Sequence, residues 1–501
     1  MDYLIGIDFG TTNSCAVYND AGKELVIEAA SGQNTMPSVV AVNTDGSYLV
    51  GQSALKRLIR GRKEEARYVF TNIKREMGRK VPEGEALEEQ MDVDEDLNSV
   101  FRGPDGPIAP HVLAAQVLST IKAAAERRIG KKVRGAVITI PAGYSPDQIE
   151  ATYQAAELAG WKRNKITLLS EPEAAAIAYS FDKGQFRRVL VFDMGGGTLD
   201  VVLMDTGADK LTTTGKDGSQ WLGGIDFDRR IESYIVDNFK GDTGIDLRDK
   251  PISMLKMRPV VEDGKKELTD TDQVKIFIED GALDTEDGRF MDVKYEISRP
   301  QFEGMVQDLI DRAMGLVDSA LQSAGVQPEQ VQDVVLVGGM TRVPAIREAL
   351  SKYFSPSKIR DTISPDTAIA RGAAIRAAEL DGRLVDRRTY DQISAHAYGI
   401  AGARDEFILF IPKGADAGTK ETRVLSNQKK NQTEIPIAVL QGQNKKASTN
   451  TLVGEHHVTI LPQAKASANV ELTFEVLEDG TLSVYGQDLD SEERFTIIGA
   501  G

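Results

Sequence analysis

Two aspartates, Asp8 and Asp193, stand in the same setting at widely separated places in the sequence. Each follows an apolar run typical of a buried strand and precedes a Gly/Thr-rich turn and a second apolar run, within residues 4–17 and 189–202. Such a turn brings backbone N–H groups close to an anion because glycine has no Cβ in the way. A carboxylate beside the turn suits a divalent cation carried by that anion. Two such hairpins could therefore hold a polyphosphate and its metal ion from both sides.

The composition is that of an ordinary globular protein. The 501 residues are 41% hydrophobic and 27% charged, and the formal net charge of −16 argues against a nucleic-acid partner. This length predicts roughly two to four domains. We expect no membrane span, because no run of about 18 apolar residues is present, and the N-terminus lacks a signal-peptide pattern. With Cys15 as the single cysteine, these features predict a cytoplasmic protein.

Alternating strands and helices should position the two hairpins. Residues 110–129 carry helical periodicity, with Pro110 at the start and Gly130 just beyond the end. The other expected elements are a strand at 135–140, a helix from the Ser145 capping box to Gly160, a strand at 166–169, helices at 173–179 and from about 224, a strand at 334–337, and helices from 344 and at 365–380. This order predicts an α/β layered fold. The P-loop and dinucleotide-binding motifs are both absent from the sequence.

Four regions have a different character. Residues 53–78 are basic and helical in pattern, whereas residues 81–106 are acidic and predict a surface insertion with short strands at most. Residues 381–395 have the polar, charged composition of a linker. Residues 396–501 show short alternating segments between turn signals, with a hairpin turn at Glu478–Gly480, and predict an all-β sandwich.

A set of motifs carries a family resemblance. They are GIDFGTTNS (6–14), the NIKREMG context of Lys74, VITIPAGYS (137–145), EPEAAAIAY (171–179), VFDMGGGTLD (191–200), WLGGIDFD (221–228) and LVGGMTRVP (336–344). Together they resemble the nucleotide-binding domain of the 70-kilodalton heat-shock chaperones, the bacterial DnaK type, from residue 4 to about 378. The resemblance continues more weakly through PIAVLQG (436–442) and VELTFEVLEDGTLSVYGQD (470–488) in the β part.

The resemblance implies an α/β actin-like ATPase domain of two lobes with ATP in the cleft, followed by an all-β sandwich that binds extended peptides. The implied boundaries are 1–380 for the ATPase domain, with lobe I at about 1–183, lobe II at about 184–365 and a last helix at 365–380 returning to lobe I, then a linker at 381–395 and the sandwich at 396–501. The implied activity is that of an ATP-dependent chaperone for unfolded or extended polypeptides, with ATP/ADP, Mg²⁺ and K⁺ as cofactors. A J-domain co-chaperone and a nucleotide exchange factor are suggested partners, with no nucleic acid and no membrane.

The roles of the catalytic residues follow from this resemblance. Lys74 would stabilise charge developing on the γ-phosphoryl group, and Glu171 would help to position the attacking water. Asp8 and Asp193 would lie near Mg²⁺, mostly through its water molecules. Thr198 completes the catalytic set.

The resemblance also implies binding and switch positions. Asp200 matches a position associated with potassium, and Pro141 matches a switch proline. The implied phosphate-binding residues are Gly10, Thr11, Thr12, Asn13, Gly195, Gly196, Gly197 and Thr198. The implied adenosine-binding residues are Glu262, Lys265, Lys266, Thr269, Gly338, Gly339, Arg342 and Asp366. The implied peptide-binding residues are Ile400, Ala403, Leu425, Ile435 and Ile437.

Each residue also has a plainer explanation when it is taken alone. An aspartate at a strand end can cap a turn, and a lysine in a basic stretch is usually a solvated surface charge. Glu171 could be a helix N-terminal acid favoured by the helix dipole. Pro141 could simply end a strand, and the apolar sandwich residues could be ordinary core.

Several positions depart from the family pattern. Pro259 and Gly264 are expected to interrupt a helix on the adenosine side. Ala403 stands where the family usually carries a larger residue, which suggests a more open peptide groove. Ile149 and Thr167 stand where arginines of the family contact the sandwich or a J-domain.

The linker and the C-terminal part depart as well. The linker offers Leu384 and Val385 instead of a longer hydrophobic run, and no helical lid follows the sandwich in this sequence. These departures suggest weak or rewired coupling between ATP hydrolysis and peptide binding. The main alternative function is a slow nucleotide switch for a dedicated partner. Two further alternatives, a sugar or acetate kinase and an actin-like filament-forming protein, leave the C-terminal sandwich unexplained.

Overall fold

The computed structural model describes most of the chain. The described residues are 3–28, 32–60, 63–82, 84–85, 87–88, 90–180, 187–207, 210–278, 291–360, 364–384, 389–391, 393–394, 396–427, 429–460, 470–477 and 481–498. The hairpin turn expected at Glu478–Gly480 and residues 385–388 of the expected linker lie outside these ranges. Within the described ranges, no helix combines the length and the apolar character needed to cross a membrane.

Lobe I contains the first hairpin on a mixed sheet. Its elements are β1 (Tyr3–Phe9), β2 (Asn13–Asp20), β3 (Lys23–Ile27), β4 (Met36–Pro37), β5 (Val40–Val42), β6 (Tyr48–Val50), α1 (Gln52–Arg60), α2 (Lys63–Ala66), β7 (Val69–Phe70), α3 (Ile73–Glu76), β8 (Met91–Val93), β9 (Ser99–Gly103), β10 (Gly106–Ile108), α4 (Pro110–Ile129), β11 (Val133–Ile140), α5 (Pro146–Leu158), β12 (Ile166–Ser170) and α6 (Glu171–Ser180). The sheet order is β12-β11-β1-β2-β3, with β11 parallel to β1 and the hairpin antiparallel.

Lobe II repeats this arrangement around the second hairpin. Its elements are β13 (Arg187–Met194), β14 (Leu199–Thr206), β15 (Lys210–Ser219), α7 (Gly224–Thr243), α8 (Pro251–Glu267), β16 (Gln273–Ile278), β17 (Val293–Ser298), α9 (Arg299–Ser323), β18 (Asp333–Val337), α10 (Pro344–Phe354) and β19 (Ile359–Arg360). The sheet order β19-β18-β13-β14-β15 corresponds strand for strand to that of lobe I. Asp8 and Asp193 therefore occupy equivalent positions near the ends of β1 and β13.

A helical layer joins the two sheets. It consists of α6 and the last ATPase helix, α11 (Ala368–Leu380), which begins three residues later than expected. One apolar cluster contains residues of both sheets and of both helices, for example Val137, Val191, Ile177 and Ile375. Gly372 lets α11 approach α6 closely, because a Cβ there would overlap the backbone of α6. This shared core sets how the two hairpins face each other.

Two regions of lobe I correct or refine the expectation. Residues 53–78 do not form one helical segment, because Val69 and Phe70 form β7 and pair with β5 between short helices. The insertion at 81–106 carries short strands as expected, arranged as the sheet β10-β9-β8. One face of that sheet packs into the lobe, since Phe101 is buried with its ring centroid 5.0 Å from that of Phe70. The insertion is therefore anchored by apolar contact.

The expectation that Pro259 and Gly264 interrupt a helix is wrong. The helix α8 runs through both residues to Glu267, although proline and glycine lower helix propensity. Tertiary packing compensates, because Pro259 is buried and Gly264 leaves room for Ile276 of the β16–β17 hairpin. A Cβ at residue 264 would overlap the Ile276 side chain. The glycine thus brings the hairpin close to the helix.

The C-terminal part is the expected β-sandwich. Its strands are β21 (Tyr398–Ala401), β22 (Phe407–Ile411), β23 (Lys420–Leu425), β24 (Glu434–Gln441), β25 (Thr451–Thr459), β26 (Val470–Val476), β27 (Leu482–Asp488) and β28 (Arg494–Ile498). Two sheets, β22-β21-β24-β25 and β23-β26-β27-β28, enclose one apolar core. The stacked rings of Phe410 and Phe474, with centroids 4.4 Å apart, lie between them.

Part of the expected linker is ordered on lobe II. Residues 389–391 form β20 (Thr389–Asp391), which lies parallel to β15 and extends the lobe II sheet. This pairing uses backbone hydrogen bonds, which do not require the hydrophobic side chains that the linker lacks. The linker therefore meets the ATPase domain through the backbone of β20, and also through Leu384, which packs against the apolar cluster between the two sheets.

Candidate functional site

All the predicted phosphate and adenosine residues except Gly197 come together in one cavity between the lobes. Its volume is about 500 Å³. The predicted residues that line it are Asp8, Gly10, Thr11, Thr12, Asn13, Lys74, Glu171, Asp193, Gly195, Gly196, Thr198, Glu262, Lys265, Lys266, Thr269, Gly338, Gly339, Arg342 and Asp366. Asp200 and Pro141 lie instead along a second cavity of about 810 Å³, and Thr198 lines both. Thr198 thus belongs to the wall between the two cavities.

The second glycine turn is held from behind by its carbonyl groups. The N-terminus of α7 donates from Gly224 N to Gly195 O at 3.0 Å and from Ile225 N to Gly196 O at 2.8 Å. Arg75, from lobe I, donates to Gly197 O at 2.7 Å and pairs with Asp226 at 2.8 Å. Because the N–H of the next residue lies opposite each carbonyl in a peptide plane, these bonds direct turn N–H groups toward the cavity. Such a concave set of donors binds anions.

The first turn is supported by a residue that the sequence did not single out. Ser38 donates its hydroxyl to Gly10 O at 2.7 Å and its backbone N–H to Thr12 O at 2.8 Å. Its hydroxyl also lies 2.8 Å from Ser14 Oγ. A serine 28 positions away from Gly10 gives no local motif, so only the fold reveals this support.

Lys74 and Glu171 form a buried ion pair at the cavity. The Lys74 Nζ and Glu171 Oε1 are in direct contact, and the two residues are 4% and 6% exposed. The short helix α3 presents the lysine, and Glu171 is the first residue of α6. The Lys74 ammonium also lies 5.7 Å from the Phe9 ring centroid and 6.0 Å from that of Tyr144. This enclosure fixes the ammonium in the cleft and shows that it is not a solvated surface charge.

The carboxylates around this pair need a cation. Burial raises the pKa of Asp8 to about 7, and Glu171 adds to the rise while Lys74 opposes it. Burial, followed by Glu171 and Asp200, raises the pKa of Asp193 well above its usual range. The Oδ2 atom of Asp193 is buried without a hydrogen-bond partner among the described residues. An orphaned carboxylate oxygen amid excess negative charge fits a hydrated divalent cation.

The same residues fit a cation held mainly through water. Within the described ranges, no three Asp, Glu, His or Cys residues are placed to hold a metal ion directly. Mg²⁺ retains much of its hydration shell and binds proteins through few carboxylates. The donor set of Asp8 and Asp193 therefore suits Mg²⁺ accompanying a polyphosphate.

The predicted adenosine residues lie on and just after α8, in the Gly338–Arg342 turn and just before α11. Arg342 pairs with Asp366 at 2.7 Å, and Lys266 pairs with Glu262 at 2.7 Å along α8. Lys265 is buried and is already engaged, because its Nζ donates to Gly224 O at 3.0 Å and lies 2.8 Å from Asp228 Oδ1. It therefore ties α8 to the start of α7, which hydrogen-bonds to the second glycine turn.

A charged contact that the sequence did not predict joins the lobe I insertion to lobe II beside the cavity. Glu88 of the lobe I insertion accepts two hydrogen bonds from Arg258 of α8, at 2.8 and 3.1 Å, and a third from Arg229 of α7 at 3.3 Å. Although burial favours a higher pKa for Glu88, the two guanidinium groups lower it below its usual range. All three residues line the cavity, and Glu88 and Arg229 also line the second one, so this contact bridges the lobes beside both cavities.

The segment that follows Pro141 contacts both Asp200 and a residue next to the sandwich. Ala142 N, just after Pro141, donates to Asp200 Oδ1 at 3.1 Å. Gly143 O accepts from Gln220 Nε2 at 2.6 Å and lies 3.3 Å from Nε2 of His396, which precedes the sandwich. The segment that contains the expected switch proline therefore contacts the Asp200 carboxylate at one end and lies near the sandwich at the other.

The predicted peptide residues are not equally accessible. Ile400, Ile435 and Ile437 are 5%, 7% and 1% exposed and belong to the sandwich core. Leu425 is partly buried at the end of β23, and Ala403 is exposed in a turn. The five positions thus lie in one domain, with two of them reaching its surface.

Comparison with known proteins agrees with this architecture. The family described as "Hsp70 protein" matches residues 4–498. "Chaperone protein DnaK" of Stenotrophomonas maltophilia (strain R551-3) is 34% identical over 505 residues, covering 97% of this chain and 77% of the relative. The repeated lobes are an actin-like ATPase domain, and the β part is its sandwich. The chain therefore belongs to the Hsp70 family and is an ATP-dependent chaperone, an ATPase that binds unfolded polypeptides.

Proposed function

We propose that ATP hydrolysis takes place at the buried Lys74–Glu171 pair and is coupled to peptide binding by polar contacts between the sandwich and the ATPase domain. The pair carries the catalytic half of this proposal, since both groups reach the cavity wall beside the two glycine turns. Phosphoryl transfer needs positioning and electrostatic stabilisation and no covalent nucleophile. Lys74 stabilises charge on the transferred group, and Glu171 orients both the ammonium and the attacking water.

The remaining residues bind the nucleotide. The two turns and Thr198 donate hydrogen bonds to the phosphates, and Asp8 and Asp193 hold Mg²⁺, which offsets phosphate charge when bound. The α8 residues and the Gly338–Arg342 turn contact adenosine. We assign no potassium ion to Asp200, because Lys216 of β15 lies near that carboxylate on the same face of the sheet.

Two polar contacts carry the coupling half. Lys413, in the turn after β22, pairs with Asp217 of β15 at 3.1 Å, and both side chains are 21% exposed. Asp217 also accepts the Ser319 hydroxyl of α9. With the His396–Gly143 contact and the β20–β15 pairing, this ion pair joins the sandwich to the strand next to β14, which carries Asp200. This coupling runs through polar contacts, instead of through the longer hydrophobic linker run of the family pattern.

A single-turnover assay tests the coupling. We expect an unfolded peptide to change the rate of ATP hydrolysis in the natural chain, and Lys413→Gln to reduce that response at least severalfold. The matched control is Lys420→Gln, because Lys420 also pairs with a carboxylate, Glu475 at 3.5 Å, but within the sandwich. An unchanged peptide response in Lys413→Gln would contradict the proposal, and no response in the natural chain would show that coupling is weak.

The peptide site and the partners complete the proposal. Leu425 and the open position at Ala403 contact a bound peptide, with Ile400, Ile435 and Ile437 beneath them. A J-domain protein and a nucleotide exchange factor act on this chain, with the loss of arginine at Ile149 and Thr167 altering the first interaction. A cytoplasmic location stays a prediction from the sequence. Family membership favours this function over a slow nucleotide switch.

A further inference from the structure

Lys216 is a buried lysine whose position the chaperone function does not explain. It lies on β15 and is 7% exposed. Its side chain lines the second cavity, next to Asp200 and Pro141. No ion pair within 4.0 Å joins its ammonium to a carboxylate among the described residues. Because burying a cation without direct hydrogen-bonded compensation is costly, a purely structural role is a poor account of this residue.

The strand register directs Lys216 toward Asp200. In the β14–β15 pair, Asp200 lies opposite Gly218 and Val202 lies opposite Lys216. Residues opposite each other, and residues two apart on a strand, share one face of the sheet, so Asp200 and Lys216 are diagonal neighbours on that face. Gly218 places no side chain between them, and a Cβ there would come within 3.3 Å of Asp200 Oδ1.

Several charged groups act on this face besides Lys216, and Lys74 is a second cation that acts on Asp200. Glu173 of α6 and Asp200 act electrostatically on the ammonium, while Lys413 repels it. His396 also faces it across the domain contact. Burial lowers the pKa of Lys216 to about 8, so the side chain remains mainly protonated at neutral pH. The strand register thus places a lysine near the carboxylate that the family resemblance links to potassium.

We propose that the Lys216 ammonium supplies the monovalent positive charge beside Asp200, so that this ATPase works without a potassium ion at that position. Lys216 is a positioning residue: it acts on the Asp200 carboxylate and, through Ala142 and the adjoining wall, on the phosphate turn. Asp200 Oδ1 already accepts the Ala142 N–H, and Lys74 and Lys216 both act electrostatically in favour of the charged carboxylate. This inference rests on the ATPase function proposed above.

The test uses the full chain in KCl, NaCl and choline chloride at equal ionic strength. We expect the single-turnover rate of the natural chain to differ less than about twofold among the three salts. In Lys216→Met we expect the rate to fall about tenfold in NaCl and to recover to within about threefold in KCl, because loss of one preorganised charge slows phosphoryl transfer. Lys216→Arg should stay independent of potassium, and Lys210→Met, on the exposed start of the same strand, should behave like the natural chain.

Thermal unfolding without nucleotide provides a readout separate from turnover. A bound ion stabilises the state that binds it, so KCl in place of NaCl should raise the melting temperature of Lys216→Met and leave that of the natural chain unchanged. Potassium stimulation of the natural chain above about fivefold, or a Lys216→Met variant that potassium neither activates nor stabilises, would overturn the inference. If the natural chain hydrolyses no ATP in any salt, the proposed function fails, while a potassium-dependent melting temperature of the natural chain still overturns this inference separately.

Discussion

Replacing Glu88 by glutamine should speed nucleotide release, because Glu88 bridges the two lobes over the cavity. The carboxylate receives both Nη atoms of Arg258, at 2.8 and 3.1 Å, and one nitrogen of Arg229 at 3.3 Å. Glutamine preserves the size of the side chain but only one acceptor oxygen, so the substitution removes the charge and at least one of the three hydrogen bonds. We expect nucleotide release to require that these contacts between the insertion and lobe II open.

The size of the effect follows from exposure. The side chains of Glu88, Arg258 and Arg229 are 44%, 28% and 53% exposed, so solvent screens the network. Exposed ion pairs contribute about 0.2–1 kcal/mol, and paired guanidinium–carboxylate geometry places this one near the upper limit. A loss of about 1 kcal/mol corresponds to roughly fivefold faster release if opening limits the rate.

Stopped-flow displacement of a fluorescent ADP analogue measures this rate. Asp92→Asn is the matched control, because Asp92 pairs with Arg102 at 3.1 Å inside the same insertion without crossing the cleft. High salt should diminish the difference between Glu88→Gln and the natural chain, since the Debye length at 1 M is about 3 Å. Equal release rates for Glu88→Gln and the natural chain at low salt would refute the bridging role, as would an equal acceleration in the control.

The other predictions concern catalysis, backbone strain and domain docking. Lys74→Ala should slow single-turnover hydrolysis at least about 100-fold, while a fluorescence titration still shows ATP binding. The exposed control Lys56→Ala should hydrolyse ATP at the natural rate, and unchanged turnover in Lys74→Ala would remove Lys74 from the mechanism. Gly338→Ala should destabilise the fold by about 2 kcal/mol or more in denaturant unfolding, because its φ of 79° and ψ of 149° suit only glycine and a Cβ would overlap the backbone of Met194. The control Gly339→Ala, where a Cβ would meet open space, should be nearly neutral. Burial at the domain contact lowers the pKa of His396 to about 4 from its ordinary 6.5, so protonation of His396 favours separation of the two domains. Small-angle scattering should therefore show a larger radius of gyration as the pH falls from about 6.5 toward 4. A radius that does not change with pH would contradict this.

Much of the ATPase fold was predictable because its elements carry local signals. The helix at Pro110–Ile129 has a proline at its start and a glycine just after its end, and both bounds are confirmed. The Ser145 capping box is present, with Gln148 N donating to Ser145 Oγ at 3.4 Å and Gln148 Oε1 accepting from Ser145 N at 3.0 Å. The errors arose where tertiary contacts outweighed local preference, as in the helix α8, which continues through Pro259 because its neighbours bury that turn.

The sequence by itself determined the glycine turns and the carboxylates beside them, because the steric freedom of glycine and the ligand preference of an anion act over a few neighbouring residues. Only the tertiary structure decided which distant groups complete the site. Ser38 supports the first turn, Glu88 meets Arg258 across 170 positions, and Lys216 faces Asp200 through strand register. A hydrogen bond or a charge interaction depends on distance in space, and a partner far along the chain leaves no periodicity or spacing that a sequence can display.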